Sequence, residues 1–96
     1  MSKEEKIMTL HPQGKAGVNI LKRRYELIKG FIVNIIIEHE TITFESLSDK
    51  AVEELTSSFD GKVLWYIVTV KLDLEARGII ERIPKTSPHQ LRMKTC

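Results

Sequence analysis

Ninety-six residues, 42% apolar and 29% charged with a formal net charge of +2, describe one small globular domain, too short for two cores. The single cysteine, Cys96, can close no loop within the chain, which excludes an internal disulfide and suits a reducing, cytoplasmic setting. The most apolar stretch, Phe31–Ile37, is interrupted by Asn34 and falls far short of the roughly 20 residues of a membrane-spanning helix, so no membrane role is expected.

Taken in chain order, the polar start Met1–Lys6 lacks the apolar run of a signal peptide. Residues 1–20 are expected as an N-terminal extension, partly flexible, because Pro12, Gly14 and Gly17 oppose a helix there. Residues 21–96 are expected to form the domain.

A first helix is predicted from Lys22 to His39. Leu21, Tyr25, Ile28, Ile32, Ile35 and Ile36 recur at spacings of three and four on one face, and Leu27, Phe31 and Ile37 widen it. Thr43 then reads as the N-cap of a second helix, with Ile42 and Leu47 placed as a hydrophobic staple and Leu47, Ala51 and Leu55 facing inward as far as Thr56. A turn at Thr56–Asp60 follows, where Asp60 can cap a third helix over 61–77 that Gly78 terminates. Two stripes of that helix are apolar: Val63, Ile67, Val70 and Leu74, and opposite them Trp65, Val68, Leu72 and Ala76. The remaining narrow strip (Lys62, Tyr66, Thr69, Asp73 and Arg77) is expected to be the exposed one. Ile79–Ile83 and Gln90–Lys94 read as a hairpin across a turn with Pro84 and Pro88 at its ends, with Leu91 and Met93 inward and Gln90, Arg92 and Lys94 outward.

Helix, helix, short turn, helix and an immediately following hairpin is the order of a winged helix-turn-helix. The expected class is therefore mainly α with a C-terminal β-hairpin, a three-helix core plus a wing. Leu74–Arg82 resembles a stretch common in winged-helix regulators, where a leucine-rich helix end and a glycine lead into the first wing strand. His11–Ile20, Ile42–Phe44, Phe59–Lys62 and the run from Leu72 to Pro84 together look like an uncharacterised family of short bacterial winged-helix proteins. That resemblance spans almost the whole chain and implies the fold, with no activity to carry to named residues.

Charge is segregated along the chain. Lys15 to Lys29 holds five basic residues against Glu26, Glu38 to Asp60 seven acids against Lys50, and Arg82 to the end four basic residues with no acid. This suits a molecule that turns one face to an anionic partner, and equally a solvated surface of uneven charge. A DNA-binding regulator would point the third helix at the major groove with Lys62, Trp65, Tyr66 and Thr69. Its wing (79–94) would set Arg82, Lys85, Arg92 and Lys94 on the phosphate backbone of duplex DNA, and Lys15 could ride on a basic arm. Each assignment has a plainer counterpart. Trp65 and Tyr66 would finish the core, the hairpin cations would keep an edge strand from aggregating, and the arm would pack on the body. Asp73, on the same strip as Lys62, would repel phosphate.

The alternative is a winged-helix module for protein–protein contact or dimerisation, using the acidic second helix and the Trp65/Tyr66 region. A homodimer suits both readings. Gly14-Lys15-Ala16-Gly17 lacks the spacing of a phosphate loop. His11, His39, His89 and Cys96 show none of the close pairing of a zinc site. Neither a nucleophile-and-base grouping nor a small-molecule site is evident. No metal, cofactor or enzymatic activity is expected.

Overall fold

A computed structural model describes residues 5–86 and 89–94. Met1 to Glu4, Ser87, Pro88, Thr95 and Cys96 lie outside the described residues, and with them the expectations placed on the polar start, on Pro88 and on the cysteine.

Three helices and two small antiparallel sheets make up the fold: β1 (Lys6–Met8), β2 (Asn19–Leu21), α1 (Lys22–His39), β3 (Thr41–Thr43), α2 (Phe44–Leu55), α3 (Val63–Ala76), β4 (Ile80–Ile83) and β5 (Gln90–Met93). β1 pairs with β2, and the second sheet has the order β3-β5-β4. This is an α+β arrangement with the expected C-terminal hairpin, and it is compatible with a winged helix.

α1 has the predicted bounds, and its face Tyr25, Ile28, Ile32, Ile35 and Ile36 is buried. Opposite it lie Val63, Ile67, Val70 and Leu74 of α3 and Leu47 and Ala51 of α2, and Ile42, Ile80 and Leu91 close the core from the three-stranded sheet. Leu27 and Ile37 do not widen that face. They are 48% and 59% exposed.

Thr43 performs two tasks. Its side chain accepts the N–H of Ser46 at 3.0 Å as the N-cap of α2, while its backbone ends β3, paired across from Gln90. β3 is an addition to the sequence reading, since three residues before a helix are too few to show a strand period.

α3 ends in a Schellman turn. The Ile79 N–H donates to the Leu74 carbonyl at 2.9 Å and the Gly78 N–H to the Glu75 carbonyl at 3.1 Å, with Gly78 at φ 75°. Its start corrects the expectation. The N-cap position is Lys62, extended and without a side-chain cap, and Asp60 lies two residues too early to serve. Asp60 instead binds Arg23 at 2.9 Å and the Nε of Arg24 at 3.0 Å, which holds its carboxyl well below the usual carboxylate range.

The N-terminal segment is built into the fold rather than strung along it. Ile7 stands opposite Ile20 in the β1–β2 pair, the Thr9 N–H donates to the Val18 carbonyl at 2.9 Å, and Thr9 is 3% exposed. The two backbones approach so closely that a Cβ on Gly17 would fall 1.7 Å from the Thr9 carbonyl oxygen. That spacing is open to glycine alone.

Candidate interaction surface

α3 is the element on which the site depends, and its exposed side is not the one its sequence suggests. Asp73 is fully buried, and Tyr66 is 9% exposed. Asp73 accepts the Tyr25 hydroxyl from α1, the Leu10 N–H at 2.8 Å from the N-terminal segment, and Nε of Arg77 at 2.8 Å. A buried carboxylate needs such compensation, and these donors come from three separate parts of the chain. The same burial, with the hydrogen bond to Asp73, pushes the Tyr25 hydroxyl up in pKa. Tyr66 is enclosed by Phe59, whose ring meets it edge-on at 5.1 Å, and by Arg24, whose Nη1 donates to its hydroxyl at 2.9 Å. Asp73 therefore repels nothing at the surface, and the expectation that it shares an open strip with Lys62 is overturned.

The second apolar stripe stands in the open instead. Trp65 is 45% and Val68 42% exposed, and Leu64 beside them is 52% exposed. Leu72 and Ala76 continue the line half-buried. Leu64, Val68 and Leu72 follow one another at i, i+4 and i+8, so they form a ridge along the helix. From Leu64 round to Lys62 the face carries Leu64, Val68, Leu72, Trp65, Ala76 and Thr69, with Glu75 near the Leu64 edge and Lys62 at the other.

The N-terminal segment extends this surface. Leu10 and Val18, 44% and 39% exposed, line one hollow of about 190 Å³ together with Trp65, Thr69 and Leu72. A second hollow of about 460 Å³ runs from His11, Pro12 and Gln13 past Leu72 to Arg82 and Lys94. A third, at the start of α3, is lined by Arg24, Lys62, Trp65 and Tyr66. Trp65 thus sits between two of these depressions, with the chain from Thr9 to Val18 along one flank of its helix.

The residues expected to hold DNA separate on this surface. Lys62 is exposed at the end of the apolar face, Thr69 is half-buried within it, and Tyr66 is core. Lys15 is exposed in the loop between β1 and β2. Arg82, Lys85 and Lys94 are exposed and make no ion pair among the described residues, Lys85 in the hairpin turn at φ 62°. Arg92 differs. Its Nε donates to Glu81 at 2.7 Å across the β4–β5 pair, so the hairpin cations are not all without an acid. The acids of α2 (Glu45, Asp49, Glu53 and Glu54) are exposed and make no ion pair among the described residues.

At the turn end of the hairpin, just before β5, His89 stacks on Phe44 with ring centres 5.5 Å apart, and its backbone carbonyl accepts the Phe44 N–H. Its Nε2 is buried with no partner among the described residues. Burial first, then the nearby charges of Lys71 and Arg82, lower its pKa, with Glu75 opposing them. Lys71, 4% exposed, meets Glu75 at 3.2 Å and lies over the Phe44 ring; burial lowers its pKa and Glu75 opposes the shift.

Sequence reasoning named Trp65 and missed Leu64, Val68, Leu10 and Val18 as parts of this surface. The available signal was that α3 carries more apolar side chains than two other helices and a hairpin can cover.

Among the described residues no helix is long and apolar enough to cross a membrane, and no group of three His, Cys, Asp or Glu side chains gathers as metal ligands. The fold and this surface define a small α+β protein of three helices and two antiparallel sheets. Residues 6–91 match the family of unknown function DUF6958, and the chain belongs to that family. No curated protein and no solved structure matches the chain significantly.

Proposed function

We propose that the chain is a winged-helix domain that works by protein–protein contact, with the outward face of α3 as its contact surface. The order of α2, α3 and the hairpin and the glycine turn at Gly78 support the winged-helix reading. One observation carries the function: Leu64, Trp65 and Val68 stand exposed where a DNA reader needs polar or cationic side chains to meet base edges and phosphates. Aromatic and aliphatic anchors in that position are what protein interfaces use at their centres. The exposed carboxylates of α2, with Glu45 in its first turn, add repulsion against a phosphate backbone on the partner helix of the helix-turn-helix pair.

Binding to duplex DNA is the second reading, and Lys62, Arg82, Lys85 and Lys94, exposed and without ion pairs among the described residues, favour it. One experiment separates the two. A photo-crosslinking amino acid replaces Val68 on the α3 face or, as a control, Glu53 on α2, and the cells that make the protein are irradiated. Protein adducts at 68 and none at 53 are expected. The proposal is overturned by no adduct at 68 while fluorescence anisotropy shows duplex binding that falls steeply with salt and is lost in Lys85→Glu/Lys94→Glu.

A further inference from the structure

The partner of this face can be named from its own shape and charge, on the reading that α3 is a contact surface. We infer that the occupant is a second copy of the chain, the two α3 helices crossing over a two-fold axis near Val68.

The area fits. At exposures of 39–52%, Leu10, Val18, Leu64, Trp65 and Val68 leave on the order of 400 Å² of apolar surface in water. They are contiguous, because Leu10, Val18, Trp65 and Leu72 share one hollow and Val68 lies one turn from Leu64 and from Leu72. A stable interface takes about 800 Å² from each partner, rather more than half of it apolar. The patch supplies most of that apolar share from one face.

Self-pairing also asks that each copy bring both halves of the fit. The ridge Leu64–Val68–Leu72 is the projecting half. The hollow beside it, lined by Trp65, Thr69 and Leu72 with Leu10 and Val18, is the receiving half, and the Thr69 side chain in it is small and half-buried. Ridges of this i, i+4 kind interdigitate at a crossing of about −50°. A copy brought up by a two-fold axis meets no like charge at the centre. Glu75, on one rim, is paired with Lys71 at 3.2 Å, and Lys62 stands at the end of the helix.

Sedimentation velocity on the full chain from about 1 to about 200 µM tests this, a range that brackets dissociation constants typical of modest interfaces. A reversible dimer is expected, and Val68→Glu should weaken it by about 100-fold while leaving the circular dichroism spectrum unchanged, since a charge is placed twice beside the axis. Leu64→Glu serves as a second variant should the first not fold. Lys85→Glu, in the hairpin turn, should dimerise as the unmodified chain does. A monomer at every concentration overturns the inference, as does a dimer indifferent to both Glu substitutions. If the chain is monomeric and position 68 still crosslinks to a different protein in cells, the second-copy inference fails and the contact-surface reading stands.

Discussion

His89 shows how a single side chain can tie local packing to solution conditions. Its ring lies flat on Phe44, and a proton added to it would enter a site already facing Lys71 from α3 and Arg82 from β4, with Glu75 opposing them. The neutral form is therefore favoured in the folded protein. Because the folded pKa lies below the unfolded value of about 6.5, the unfolded chain binds more protons in this window, and stability rises with pH. The contribution is complete above about pH 6.5 and is lost as the pH falls through the folded value. Urea denaturation at pH 5 should give a lower midpoint than at pH 7.5, and His89→Gln should reduce that difference. An unchanged pH dependence in the variant would place its origin elsewhere. Asp60 acts in the same direction lower on the scale: its exposed pairs with Arg23 and Arg24 depress its pKa, so that contribution is present above the usual carboxylate range and is lost as the pH falls below it.

Among the elements, α1 and α3 show when hydrophobic periodicity is sufficient. α1 has one apolar stripe and one covered side, so its buried residues follow from spacing alone. α3 has two stripes, and the helix wheel does not say which of them receives a neighbour. Its C-terminus, in contrast, is legible from one residue. Gly78 sits at φ 75°, where a Cβ is unfavourable, and its N–H and that of Ile79 make the two hydrogen bonds that close the helix and launch β4. Gly78→Ala should therefore lower the unfolding free energy by about 1 kcal/mol, measured by urea denaturation. A neutral result would mean that the turn relaxes to another conformation. The strands were less legible than the helices. β1, β2 and β3 have three residues each, below the length at which alternation can be seen, and they form because partners from elsewhere in the chain complete them.

Across the whole molecule, Asp73 is the point where the N-terminal segment, α1 and α3 are joined. The Leu10 N–H, the Tyr25 hydroxyl and the Arg77 guanidinium all converge on it, and Nη2 of Arg77 also reaches the Met8 carbonyl at 3.4 Å. Asp73→Ala leaves those donors without their acceptor and a half-buried guanidinium without its counter-charge. A loss of about 3 kcal/mol is expected. Hydrogen exchange should show that the amides of β1 and β2 lose protection with it. Retention of the β1–β2 amides in the variant would mean that the hairpin is held by Ile7 and Ile20 alone. This network also explains why the exposed side of α3 lies where it does: the N-terminal segment and α1 take the Asp73/Tyr66 flank, and nothing among the described residues takes the Trp65/Val68 flank.

What the sequence determined by itself was everything encoded over a few residues: the bounds of α1, the Thr43 cap, the glycine turn into a hairpin, and the core stripe Val63, Ile67, Val70 and Leu74. These depend on backbone geometry and short-range periodicity, both written in the local chain. Only the tertiary structure decided which way α3 faces. Asp73 looked like a surface charge because a carboxylate is buried only when donors distant in sequence reach it, and Trp65 could be read as surface or as core because an indole is left in water only when, as among the described residues here, no element covers it.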